Sequence, residues 1–122
     1  MAKWQNDAML DAALNYIKNN AGTMTVCNAA ATTNAQAITT YYLAGTVVAS
    51  GDFTVGDGDS SGRKAAVTAK AGIAITNTGT ASHVCVCNAG TLLYVTTCTA
   101  QPLTSGGTVD IPTWDIEIAD AA

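Results

Sequence analysis

Between Gly79 and Gln101 the chain reads GTASHVCVCNAGTLLYVTTCTAQ, two stretches rich in Val, Leu, Thr, Tyr and Cys on either side of Asn88-Ala89-Gly90. Apolar and β-branched runs flanking a short Gly-containing connection predict a β-hairpin with a three- or four-residue loop. Side chains alternate between faces along a strand, so His83, Cys85 and Cys87 share one face and Val84 and Val86 the other. Both faces are substantially apolar. A strand buried on both sides needs a layer over each, which makes this hairpin the expected centre of an all-β sandwich.

The segments around it fit the same class. Thr23 to Asn28 alternates Met24 and Val26 against Thr25 and Cys27 and reads as a first, short strand. Ala29 to Ala37 has no strand or helix period and is expected to be a surface loop leading into a strand from Ile38 to Ala44. Thr46 to Ser50 and Asp52 to Val55 read as short strands broken at Gly51, and Gly56 to Gly62 is the most turn-like stretch of the chain. Arg63 to Ala69 and Ala71 to Asn77 are strand-like, with Gly72 suggesting a bend or bulge between them. Thr108 to Ile111 and Pro112 to Ala119 close the chain, the latter placing Trp114, Ile116 and Ile118 on one face and Asp115 and Glu117 on the other. Strands recurring every 8 to 12 residues or so between Gly- or Asn-marked turns point to an antiparallel β-sandwich, a jelly roll or a small barrel.

One segment breaks the pattern. From about residue 7 to residue 19, Leu10, Ala13, Leu14 and Ile17 fall at helical spacing, with Asp11, Asn15 and Lys18 off that stripe. Asn6 or Asp7 suits the start, Lys18 the last turn, and Asn19-Asn20-Ala21-Gly22 the stop. The helix is expected to lie on the sheet by its Leu/Ile stripe, or to serve as an arm that docks onto a partner with Trp4 as its anchor. The 122 residues suit a single domain, 1–122, carrying this helix.

Charged residues make up 11% of the chain and hydrophobic residues 48%. So little charge suggests a protein that packs against copies of itself or against a partner. Five basic residues against nine acidic ones give a net charge of −4, which argues against nucleic acid, where Lys and Arg must neutralise phosphates. No apolar run approaches the roughly 20 residues of a membrane-spanning helix, and the N-terminus lacks a hydrophobic signal core. The cysteines at 27, 85, 87 and 98 are expected to be small core residues rather than disulfides.

Candidate chemistry is sparse. His83, Cys85 and Cys87 are zinc-type ligands, but extended spacing separates the first and third by about 13 Å, too far to converge on one ion. That leaves at most a two-ligand contribution completed by Cys27 or Cys98 from a neighbouring strand, against the preferred reading of core cysteines and a histidine satisfied by a local hydrogen bond. A cysteine within an apolar strand shows none of the setting that activates a nucleophile. Asp57-Gly58-Asp59-Ser60-Ser61-Gly62 resembles the first half of a calcium loop, yet Thr68 stands where the bidentate Glu belongs, so a turn is expected. Asp115 and Glu117 have the separation of a retaining glycosidase pair, although charges on the solvent face of an edge strand are the commoner use. No catalytic residue, cofactor or metal is therefore expected, and the chain reads as a non-enzyme.

WQNDAMLDAALNYI, GDFTVGDGDSSGRK, LLYVTTCTAQPLTSGGTV and IPTWDIEIAD together resemble the small virion structural proteins of tailed bacteriophages. That resemblance, over nearly the whole chain, implies a capsid decoration or cement protein with a jelly-roll-like β-sandwich. The implied partner is the major capsid protein, bound on the outside of the capsid by a homo-oligomer, dimer or trimer, after synthesis in the host cytoplasm. Partner contact is expected of Trp4, Tyr41 and Tyr42. The alternative, a tail or fibre module that recognises a host-surface glycan or protein, would gather exposed aromatic groups, for which Trp4, Tyr41, Tyr42 and Trp114 are the candidates.

Overall fold

The computed structural model describes residues 7–58, 62–88 and 90–118. A helix, α1 (Asp7–Asn20), precedes nine strands: β1 (Thr23–Cys27), β2 (Tyr42–Val47), β3 (Phe53–Asp57), β4 (Arg63–Val67), β5 (Lys70–Ala74), β6 (Gly79–Cys87), β7 (Leu92–Leu103), β8 (Thr108–Ile111) and β9 (Trp114–Ile118). They pair antiparallel in three sheets of order β2-β1-β6-β7, β3-β4-β9 and β5-β8. This is the expected class, mainly antiparallel β with one N-terminal helix.

The arrangement is sandwich-like because one core receives side chains from all three sheets. Met24, Val26, Val84 and Val86 enter it from the four-stranded sheet, Ala65, Val67 and Ile116 from the three-stranded sheet, and Ile73 and Ile111 from the pair. Phe53 and Leu14 are among its largest fully buried members. Burying each such side chain contributes about 1.5–3 kcal/mol, so these few residues dominate the driving force.

The hairpin forms, and its faces divide as alternation predicts. Cys85 and Cys87 point to a second cluster with Cys27, Ala31 and Ala37, while Val84 and Val86 point to the main core. Its four-residue connection is held by Asn88, whose N–H donates to Thr91 O at 2.9 Å and whose Oδ1 accepts from Gly90 N at 3.1 Å and Thr91 N at 3.0 Å. Its place in the sheet differs from the expectation. Only β6 is interior; β7 is an edge, and the centre is the β1–β6 pair, with Thr25 facing Cys85 and Val26 facing Val84. Strand order is set by long-range pairing, which local pattern does not carry.

Residues 29–41 are more than a surface loop. They fold over the cysteine face of the sheet through a π-helical turn, Gln36–Thr40, burying Ala31 and Ala37. Gln36 Oε1 accepts from Thr32 N at 2.8 Å and Thr32 Oγ1 at 3.0 Å, and Tyr41 N donates to Gln36 O at 2.8 Å. The strand expected from Ile38 therefore starts only at Tyr42. Gly72 does mark a bulge: its φ is +68°, and the β5–β8 register shifts between Lys70 and Ile73.

The helix is where expected but turned about its axis. Leu14 is fully buried and Ile17 packs on the core, whereas Ala13 is exposed and Asp11 and Lys18 are half-buried. Two polar contacts set this rotation. Arg63 Nε donates to Asp11 Oδ1 at 2.7 Å, and Lys18 Nζ donates to Phe53 O at 2.6 Å, a carbonyl on an outer strand of its sheet. Arg63 also reaches Asp57 Oδ1 at 2.5 Å, tying the ends of β3 and β4 to the helix.

Gly79 opens β6 because the chain there runs against a packed side chain. A Cβ would stand 2.8 Å from Leu43 Cδ2, and Leu43 is itself buried. Gly79→Ala is expected to cost about 1–3 kcal/mol through the forced shift of Leu43. Leu14→Ala is expected to cost about 2–5 kcal/mol, as deletion of a fully buried leucine does. Urea unfolding followed by circular dichroism measures both.

Candidate interaction surface

The sulfur cluster is the densest group of potentially reactive side chains. Cys27 and Cys85 lie on neighbouring central strands with their sulfurs 3.7 Å apart, and Thr25 Oγ1 lies 3.5 Å from Cys27 Sγ. As a neutral thiol Cys27 donates to Ala37 O at 3.4 Å. The S–H of Cys85, donated to Cys27, pulls Cys27 down to about 7 against the opposing effect of burial. The same interaction, with burial, pushes Cys85 far up, and burial pushes Cys87 up as well. All three thiols are buried and free. His83, opposite Cys27 in register, is half-buried, with Nδ1 2.7 Å from Ser82 Oγ. No base stands at hydrogen-bonding distance from a cysteine sulfur among the contacts of the described residues, so the cluster has the form of packing.

The structure places Cys98 differently from the expectation of a core residue. It lies in the exposed half of β7, where the strand pulls away from β6: Gln101 faces Ala81 and Thr97 faces His83, leaving β7 two residues longer than its partner over that interval. Such a local distortion leaves no trace in the alternation of side-chain types.

The carboxylates are structural as well. Asp115 Oδ2 lies 3.4 Å from Lys64 Nζ across the β4–β9 pair, and both side chains are half-buried rather than facing solvent freely. Asp52 accepts from Ala49 N at 2.9 Å and pairs with Lys70 Nζ at 3.0 Å, two contacts that hold its carboxyl below the usual range. In the turn between β3 and β4, Asp57 binds Arg63; Asp59 lies outside the described residues. Among the described residues, no group of three or more His, Cys, Asp or Glu side chains is arranged to hold a metal ion.

Of the expected contact residues, Trp4 lies outside the described residues. Tyr41 is half-buried against the cysteine cluster, and the Tyr42 ring lies over Gly45, where a Cβ would come within 2.8 Å of Tyr42 Cε2. Trp114 stacks on Tyr94 with ring centroids 5.9 Å apart and an interplanar angle of 24°. These rings are at least partly engaged inside the fold. The exposed large apolar side chains are others: Met9 at 67%, Tyr16 at 58%, Ile38 at 44% and Val47 at 75%. Met9 and Tyr16 are seven residues apart on α1 with exposed Ala12 and Ala13 between them, a continuous stripe on the helix face turned away from the sheet. Helical spacing alone does not single it out, because Ala13 fits the stripe of Leu10, Leu14 and Ile17 as well as it fits this one.

A second feature is a shallow groove between β7 and the β8–β9 corner. It has two pockets of about 240 and 220 Å³ that share Val84, Cys98, Ile111 and Pro112. The walls are mostly apolar, with Asp110 in one pocket, Asp115 in the other and Cys98 in both, and neither lining contains a histidine, lysine or arginine. No helix among the described residues is long and apolar enough to cross a membrane. Compared with family models, with curated proteins and with solved structures, the chain matches none.

An aromatic disulfide reagent is expected to titrate one thiol per native chain, Cys98, and none in Cys98→Ser, with the other three released on unfolding. Thiolate absorbance of the native protein is expected to rise with a midpoint near pH 7 and to lose that step in Cys85→Ala. Cys27 lies below the ordinary thiol value of 9.0, so its stabilising contribution is full above that value and is lost as pH falls through about 7. Cys85 and Cys87 lie above it, so their contribution is full below 9.0 and is lost at higher pH. The thiol contribution to the melting temperature is thus expected to rise from pH 7 and to peak near pH 9.

Proposed function

We propose that the chain is a non-enzymatic virion structural protein of a tailed bacteriophage, a decoration or cement subunit on the outside of the capsid. The resemblance of its helix, turn and closing strand segments to such proteins suggests the class, and a jelly-roll-like sandwich belongs to the same proposal. The observation that carries it is the outer stripe of α1, Met9-Ala12-Ala13-Tyr16, exposed on a chain whose charge is too sparse to solvate an apolar face well. The partner is the major capsid protein, and many copies of a modest interface, repeated by the symmetry of a shell, supply the stabilisation.

The contact is placed on α1 because the helix is anchored at two points. The Asp11–Arg63 and Lys18–Phe53 contacts fix its inner side, so the outer side is presented without an ordering cost at docking. Binding to capsids stripped of the protein is expected to weaken at least about tenfold in Met9→Glu and in Tyr16→Glu, with an unchanged melting temperature. Quantitative mass spectrometry of purified virions is expected to find on the order of hundreds of copies. A handful of copies, with binding to host cells, would instead identify the tail or fibre recognition module.

A further inference from the structure

Two nucleophilic side chains of the interior are in contact with each other, Cys27 and Cys85. Their sulfurs lie 3.7 Å apart, and both residues are fully buried and free. They stand on β1 and β6, the two middle strands of the four-stranded sheet, where Thr25 faces Cys85 and Cys27 faces His83, so the cysteines are diagonal neighbours on one face. Regular diagonal positions are about 7–8 Å apart at Cα, the far limit of what a disulfide spans. Here the sulfurs already touch, and a bond requires that they close to about 2.0 Å. Cys27 is placed to take that step. It is the last residue of β1, and the β1–β2 register shifts between Val26 and Cys27, which frees its backbone from the regular ladder.

The other two sulfurs are placed differently. Cys87 follows Cys85 by two residues on the same strand, about 6–7 Å along it, with its side chain parallel rather than convergent. Cys98 is exposed on β7. What lies over the Cys27–Cys85 pair is the least regular layer of the fold, residues 29–41, which cover it with Ala31, Ala37 and a π-helical turn in place of a sheet. A cover of short side chains makes few apolar contacts and opens at lower cost than the strand pairing beneath it. A reagent little larger than water can enter by such openings, and an aromatic disulfide reagent cannot.

We infer that Cys27 and Cys85 are a buried dithiol that hydrogen peroxide converts into a reversible disulfide clamping β1 to β6. Cys27 is the attacking group, because the S–H that Cys85 turns toward it favours its thiolate. The thiolate attacks one peroxide oxygen, the O–O bond breaks, and the leaving hydroxide takes a proton and departs as water, which makes Cys27 a sulfenic acid. The Cys85 sulfur then attacks the Cys27 sulfur. The S–O bond breaks as the S–S bond forms, and the Cys85 proton leaves with the hydroxyl group as a second water. Two thiols thus lose two electrons to one peroxide, and a thiol reductant returns them by exchange. The bond joins the two strands that are buried on both faces, and it links positions 58 apart in the chain, a long loop whose closure restricts the unfolded state strongly. The clamp lies within one chain and asks nothing of the proposed coat function.

Treatment of the folded Cys98→Ser chain with millimolar hydrogen peroxide tests the pair, since removal of the exposed cysteine leaves three thiols. After quenching and unfolding, the thiol count is expected to have fallen from three to one, with loss of the mass of two hydrogen atoms. Digestion without reductant is expected to yield one peptide pair joined through Cys27 and Cys85, and dithiothreitol to restore all three thiols. The urea midpoint is expected to rise on oxidation and to return on reduction. Cys87→Ala in the same background is expected to form the same bond and retain no thiol, and Cys27→Ser to form no bond. Three thiols kept by the folded chain, oxygen gained in place of hydrogen lost, or a bond made through Cys87 would overturn the inference. So would a bond that forms only in urea, or one that lowers the urea midpoint.

Discussion

Burial of both faces of the β1–β6 pair is the constraint on which the rest of the structure depends. Cys27, Cys85 and Cys87 are as inaccessible as Met24 and Val86 on the opposite side, so neither face of the sheet can be left to solvent. One layer is supplied by the two smaller sheets and α1. The other comes from residues 29–41, which have no strand of their own and cover the sheet with alanines and a π-helical turn. Small side chains are needed on both sides of that contact: alanine lets the covering backbone come close, and the cysteines below it fill the remaining volume. A π-helical turn, with its i→i+5 bond from Tyr41 to Gln36, inserts the extra residue that returns the chain to the sheet at Tyr42.

The same constraint explains the orientation of α1. A helix on a sheet normally turns its apolar stripe inward and its charges outward, and the stripe of Leu10, Ala13, Leu14 and Ile17 suggests that placement. Instead the axis is rotated toward Asp11 and Lys18, because the surface under the helix offers Arg63 and the carbonyl of Phe53. A half-buried cation needs a partner, and leaving Arg63 or Lys18 without one costs more than exposing the methyl group of Ala13. The helix consequently shows an apolar stripe on its outer side.

What was legible in the sequence follows the range of the interactions involved. The hairpin, the bulge at Gly72, the closing strands and the existence of the helix are decided within a few residues, and all were evident from alternation, helical spacing and glycine. Strand order was not, because β7 becomes an edge only through the pairing of β6 with β1, some 60 residues earlier in the chain. The rotation of α1 depends on Arg63, 52 positions away from Asp11. The covering segment 29–41 was illegible for another reason: alanine and threonine differ too little in polarity to mark a buried face. The candidate surface suffered in the same way. Tyr41, Tyr42 and Trp114 stand out by size and are half-buried, while Met9 and Tyr16 stand out only once the buried side of the helix is known.

The basic side chains of the described residues are engaged within the fold. Four of the five basic side chains lie in described residues, and all four are engaged: Lys18 with Phe53 O, Arg63 with Asp11 and Asp57, Lys64 with Asp115, and Lys70 with Asp52. Among the described residues, positive charge thus joins elements of the same chain. Such a surface has little means of steering an anionic partner or of coding specificity by complementary charge. On the proposed reading, specificity comes from shape, through the stripe that α1 presents at fixed helical spacing; a contact of that kind is weak singly and gains from repetition.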